Sequence, residues 1–136
     1  MKLEERFSCV EHYIGWVKLQ ITSFVEVAGY ELIHPEFINK FAETDWSGGD
    51  EAIKAVHVLY NELHNQYKDD YKSLTELVMI VNHLAWVNDA LCDIGIGERD
   101  SWVGLYSELY YEARDDFYDR WGNDDEACDY FFQTTD

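Results

Sequence analysis

The apolar positions of this chain recur mostly at intervals of three and four, the spacing that lines one face of an α-helix. Leu3, Phe7, Val10, Ile14, Val17, Ile21, Phe24 and Ala28 follow it without interruption and predict a helix ending near Gly29. Part of this stretch has a rival reading. From Val17 to Ile21 apolar and polar positions also alternate, and Gly15 weakens a helix interior by about 1 kcal/mol relative to Ala, so a short β-hairpin within residues 16–33 competes with the helix.

Pro35 suits the first turn of a short helix carrying Phe37, Ile38 and Phe41, before a Ser47-Gly48-Gly49 loop. Asp50 reads as the cap of a helix to about Tyr67, with Ile53, Val56, Tyr60, Leu63 and Tyr67 inward. Ser73 and Glu76 have the spacing of a capping box. The helix they would open, through Leu77, Ile80, Val81, Leu84, Val87 and Leu91, is the most apolar and is expected at the centre; Gly95 and Gly97 end it. Asp100 or Ser101 starts a long helix to Trp121, Gly122 stops it, and Asp124 starts a short terminal helix. The expected architecture is an all-α, single-domain irregular antiparallel helix bundle over residues 1–136, long enough for one core without metal or disulfide support.

Charge changes the picture. The chain has 28 Asp and Glu against 10 Lys and Arg, a formal charge of −18, of which residues 69–136 carry −13. A magnitude of roughly 2 to 8 keeps a small domain soluble, and excess of one sign makes a folded surface repel itself. Direct binding to nucleic acid or to an anionic membrane is disfavoured, because both depend on Lys and Arg meeting phosphate. The last 39 residues combine twelve carboxylates and three basic side chains with ten aromatic rings. Disordered acidic tails lack such rings, so this charge belongs to a segment that folds, and a strongly positive partner is its simplest cause. The plain alternative is the solvated surface of a generic acidic or salt-adapted protein.

Glu108, Glu112, Asp115 and Asp119 are spaced four, three and four, which puts four carboxylates on one helical stripe, roughly 5 to 6 Å apart along the axis. Like charges so placed destabilise a helix, and only Arg114 and Arg120 lie close enough to relieve them. Asp116, Asp124, Asp125, Glu126 and Asp129 extend the field. Leu105, Leu109, Ala113 and Phe117 suffice for a core stripe, with Trp102 or Tyr106 beside it, which leaves Tyr111 and Tyr118 on the acidic side. Large amphipathic rings are typical interface anchors. The candidate partner-binding set is therefore Glu108, Glu112, Asp115, Asp116, Asp119, Asp124, Asp125 and Asp129 with Tyr111, Tyr118 and Trp121.

Catalytic readings find little support. His12, His34, His57, His64 and His83 form no HxxxH pair; His57 and His64 are seven apart, about 10 Å along one face and too far to share an ion without a third element. Cys9, Cys92 and Cys128 have no zinc or disulfide spacing. No nucleotide loop, nucleophile elbow or calcium loop occurs, so no catalytic residue, cofactor or metal is assigned. A small metal-dependent hydrolase using His57, His64 or His83 is the weakest of the alternatives. With no apolar signal core and no long apolar run, the expected location is the cytoplasm.

The stretch from Leu74 to Trp86 with Asn82-His83 before the tryptophan, the segment from Leu105 to Ala113, and the ending Tyr130-Phe131-Phe132-Gln133-Thr134-Thr135-Asp136 resemble a loose group of small acidic proteins of bacterial phages and mobile elements, without assigned activity. The resemblance covers about the last 63 residues and carries no functional residues over. It implies a setting: in size, charge and folding pattern the chain is similar to antirestriction and anti-CRISPR proteins that occupy the nucleic-acid groove of a host defence enzyme. The expected function is thus a non-enzymatic inhibitor that mimics nucleic-acid phosphates toward a basic host nuclease or CRISPR/restriction effector in the host cytoplasm. The alternative is a structural or regulatory module that pairs through the amphipathic stripe from Leu3 to Ala28, or through exposed aromatics, with charge serving solubility only.

Overall fold

The computed structural model describes residues 10–44, 50–93 and 99–135. Among them it holds six helices and no strand: α1 (Val10–Ala28), α2 (Pro35–Glu43), α3 (Asp50–Tyr67), α4 (Tyr71–Asp93), α5 (Arg99–Trp121) and α6 (Asp125–Thr135). The expectations for Leu3, Phe7, Cys9, the Ser47-Gly48-Gly49 loop, Gly95 and Gly97, and for the side chains of Val10, Ile53, Cys92, Trp102, Leu105 and Tyr106, lie outside what is described.

Residues 16–28 continue α1 without a break, which overturns the hairpin within 16–33. A strand would turn Val17, Leu19 and Ile21 to one face. Instead Val17 and Ile21 are fully buried while Leu19 is 59% exposed, the signature of a helical period. Gly29 ends α1 with φ of +76°, a conformation glycine adopts without steric cost. Its N–H donates to Glu26 O at 3.2 Å and that of Tyr30 to Val25 O at 3.0 Å, satisfying two terminal carbonyls.

Pro35 occupies the first turn of α2, and His34 caps it, Nδ1 accepting the Glu36 N–H at 3.2 Å. The start of α4 differs from the capping box expected of Ser73 and Glu76. The helix begins at Tyr71, and Asp70 accepts the Lys72 N–H at 3.1 Å and the Ser73 hydroxyl at 2.8 Å. Ser73 and Glu76 are thereby inside the helix and buried. Glu76 instead accepts the N–H of Leu32 in the α1–α2 turn at 3.1 Å. Likewise α5 begins at Arg99, ahead of the Asp100 or Ser101 expected to cap it. At the far end Gly122 donates to Tyr118 O at 2.8 Å, and Asp124 caps α6 by accepting the Ala127 N–H at 2.9 Å.

The apolar stripe of α4 is buried throughout: Leu77, Ile80, Val81, Leu84, Val87 and Leu91 are all 1% exposed or less. Each such side chain contributes about 1.5–3 kcal/mol through burial. The stripe is central because α4 packs against α1, α3, α5 and α6, while α2 bridges α1 and α3. Val17, Ile38, Val56, Leu84, Phe117 and Ala127, one from each helix, join a single core. No helix among the described residues is long and apolar enough to cross a membrane.

Candidate functional site

Helix α5 turns Leu109, Ala113 and Phe117 into the core, as their four-residue spacing requires. The stripe of Glu108, Glu112, Asp115 and Asp119 lies on the far side of the same helix, and all four are exposed. None of the four takes part in the ion pairs between described side chains. Arg114 and Arg120 stand at no three- or four-residue spacing from the stripe and are occupied elsewhere. The Arg114 guanidinium lies over the rings of Tyr110 and Tyr111, at 5.9 and 5.8 Å. That of Arg120 pairs with Asp69 in the α3–α4 turn. The stripe therefore faces water with no basic side chain paired to it among the described ion pairs.

Helix α6 adds to this field. Asp125, Asp129 and Phe132 recur at four and three, sharing one exposed face. Asp124 is exposed as well, with one carboxylate oxygen committed to the α6 cap. Tyr111 is 59% exposed and Phe132 51%. Phe132, whose ring lies 6.4 Å from that of Tyr118, was missed by sequence reasoning, although its spacing from Asp125 and Asp129 carried the signal.

Three members of the predicted set make contacts within the fold and are only partly exposed. Asp116 is half-buried at the α3–α5 junction, where it accepts the Tyr60 hydroxyl at 2.8 Å and faces His64 Nε2 at 3.9 Å. Burial, then the hydrogen bond to Asp116, push the Tyr60 hydroxyl well above the ordinary tyrosine range. Trp121 donates its indole N–H to Lys68 O at 3.1 Å and packs edge-on against Tyr71 at 5.4 Å. Tyr118 is half-buried against Phe117 and Phe131. One physical reason covers all three: Asp116 and Trp121 lie on flanks of α5 that face α3 and the α3–α4 turn, and Tyr118 faces α6.

The histidines are dispersed. His34 is a cap, His64 lies beside Asp116, and His83 stacks on Phe24 at 4.2 Å and against Trp86 at 5.5 Å. Burial lowers the His83 pKa, opposed by a hydrogen bond to the Gln20 backbone. Among the described residues no group of three or more His, Cys, Asp or Glu is placed to hold a metal ion. What the acidic face can do chemically is attract and bind cations.

Comparison with protein-family models, with curated proteins and with solved structures finds no match to the chain.

Proposed function

We propose that the α5–α6 acidic face imitates nucleic-acid phosphates toward a basic host protein and blocks it by competitive occupation, in the manner of antirestriction and anti-CRISPR inhibitors. The protein acts by binding and not by catalysis. The observation that carries this reading is the stripe Glu108, Glu112, Asp115 and Asp119, exposed along α5 while Arg114 and Arg120 are engaged elsewhere. Each like-charged i,i+4 pair of the stripe, Glu108 with Glu112 and Asp115 with Asp119, costs a few tenths of a kcal/mol, a cost that solubility alone does not require. Asp125 and Asp129 widen the field, and Tyr111 and Phe132 offer ring surface at its edge. Charge steers the encounter, and the rings supply contact area once docked.

A second mode, an apolar interface with charge serving solubility only, is favoured by the exposure of Val27 (90%) and Trp86 (56%). The amphipathic stripe of α1 itself is spent on the core at Val17 and Ile21. Salt separates the two modes, because screening weakens phosphate mimicry and spares an apolar contact. The test is affinity capture from a bacterial lysate at low and moderate salt, with parent protein and an E108Q/E112Q/D115N/D119N variant. The expected result is one nucleic-acid-binding protein, released by added DNA or RNA, lost at moderate salt and lost with the variant. Capture that is indifferent to salt and to the four substitutions overturns the proposal in favour of the apolar mode.

A further inference from the structure

A surface cavity among the described residues lies between the end of α1 and the start of α2. It measures about 430 Å³, with Val25, Tyr30, Ile33 and Ile38 among its walls and Glu26 and Glu31 at its mouth. Ile33 and Ile38 are buried, whereas both glutamates are exposed and neither takes part in the ion pairs between described side chains. No basic residue lines it.

The pocket is built from the turn that Glu76 holds. Leu32 donates to Glu76, His34 N–H donates to the Tyr67 hydroxyl at 3.3 Å, Tyr30 N–H closes α1, and the Tyr30 ring meets Phe24 edge-on at 5.7 Å. A pocket fixed this way is preformed and loses little entropy on filling. Apolar walls with two carboxylates and no base at the mouth complement one kind of group, a cation at the end of an apolar stem. From this charge complementarity we infer that the α1–α2 pocket takes a lysine or arginine side chain of a protein partner, its methylenes along Val25 and Ile38 and its charge beside Glu26 and Glu31. The inference deepens the functional proposal and rests on its basic partner, adding a second point of contact remote from α5.

The test is an amide NMR titration of the full chain with N-acetyl-lysine methylamide, N-acetyl-arginine methylamide and the uncharged N-acetyl-norleucine methylamide. Expected are saturable shifts at Thr22, Tyr30, Glu31 and Asn39 with the cationic probes, and binding weaker by roughly fivefold for norleucine and for lysine with an E26Q/E31Q variant. Both substitutions are at exposed positions, and the unperturbed remainder of the spectrum reports that the fold is kept. Equal affinity for norleucine, or no saturable shift at the pocket, overturns the inference. The E108Q/E112Q/D115N/D119N variant separates the two proposals: it is expected to titrate as the parent does, whatever the capture experiment returns.

Discussion

Tyr60 of α3 donates its hydroxyl to the carboxylate of Asp116 on α5 at 2.8 Å, joining two helices 56 residues apart in the chain through a side chain that is only 1% exposed. A hydrogen bond from a buried hydroxyl to a charged acceptor is worth about 1.5–3 kcal/mol. Tyr60→Phe is therefore expected to lower stability by about 1–2 kcal/mol in urea denaturation, and Asp116→Asn by less because the amide oxygen still accepts. An unchanged midpoint for Tyr60→Phe would mean that water replaces the bond.

Glu76 is a buried carboxylate that serves backbone N–H groups of the α1–α2 turn. Burial is the largest influence and raises its pKa above 4.5, against the opposing bonds from Leu32, Glu31 and Ile33. The folded chain thus holds this proton to higher pH than the unfolded chain. Its contribution is fully present below about 4.5 and is lost as pH rises through the folded value. Glu76→Gln is expected to match or exceed the parent at pH 7 and to lose that advantage toward pH 4. Glu76→Ala is expected to lose about 1–3 kcal/mol at both, since the Leu32 N–H loses its acceptor. Denaturation curves for the three proteins at the two pH values decide the matter.

For His83 the sign is opposite. Burial lowers its folded pKa below 6.5, so its contribution to stability is present above that value and is lost as pH falls through the folded one. His83→Phe preserves a ring against Phe24 and Trp86 but cannot take a proton. Melting curves at pH 7.5 and 5 should show the parent losing ground to the variant at the lower pH. Parallel curves would show that His83 is not titrating differently on folding.

The acidic stripe makes a prediction that needs no partner. Replacing Glu108, Glu112, Asp115 and Asp119 by their amides removes like-charge repulsion along α5, so the variant should melt a few degrees above the parent at low salt. The difference should shrink as added salt screens the parent. A variant that melts lower would show that these carboxylates hold the fold together.

Gly122 turns the chain from α5 to α6 where no side chain fits. A Cβ there would lie 2.4 Å from the backbone oxygen of Tyr118, which accepts the Gly122 N–H. Gly122→Ala is expected to cost about 1 kcal/mol or more and to disturb Trp121, one residue away, so that indole fluorescence and denaturation report together. Full stability would show that the corner shifts freely.

Much of this molecule was written in local spacing. The three-and-four recurrence from Leu77 to Leu91 placed the central helix, Pro35 and Gly122 placed ends, and the carboxylate spacing from Glu108 to Asp119 placed the exposed stripe, because helical period is a property of neighbours along the chain. The hairpin in residues 16–33 was a false rival because alternation over five residues fits both periods. Only the burial of Val17 and Ile21 with Leu19 outside separates them.

What tertiary structure decided is which polar groups the fold itself consumes. Glu76 had the spacing of a capping box and is used by a turn 44 residues away; Asp116 had the look of the acidic field and is held by Tyr60; Trp121 had the look of an anchor and is tied to Lys68. A hydrogen bond or an ion pair depends on distance in space, which spacing along one helix reports only for its own face. The sequence by itself therefore determined the helices, their buried stripes and the sign of the charge. The packing of α5 against α3, α4 and α6 determined which of its carboxylates and rings remain exposed.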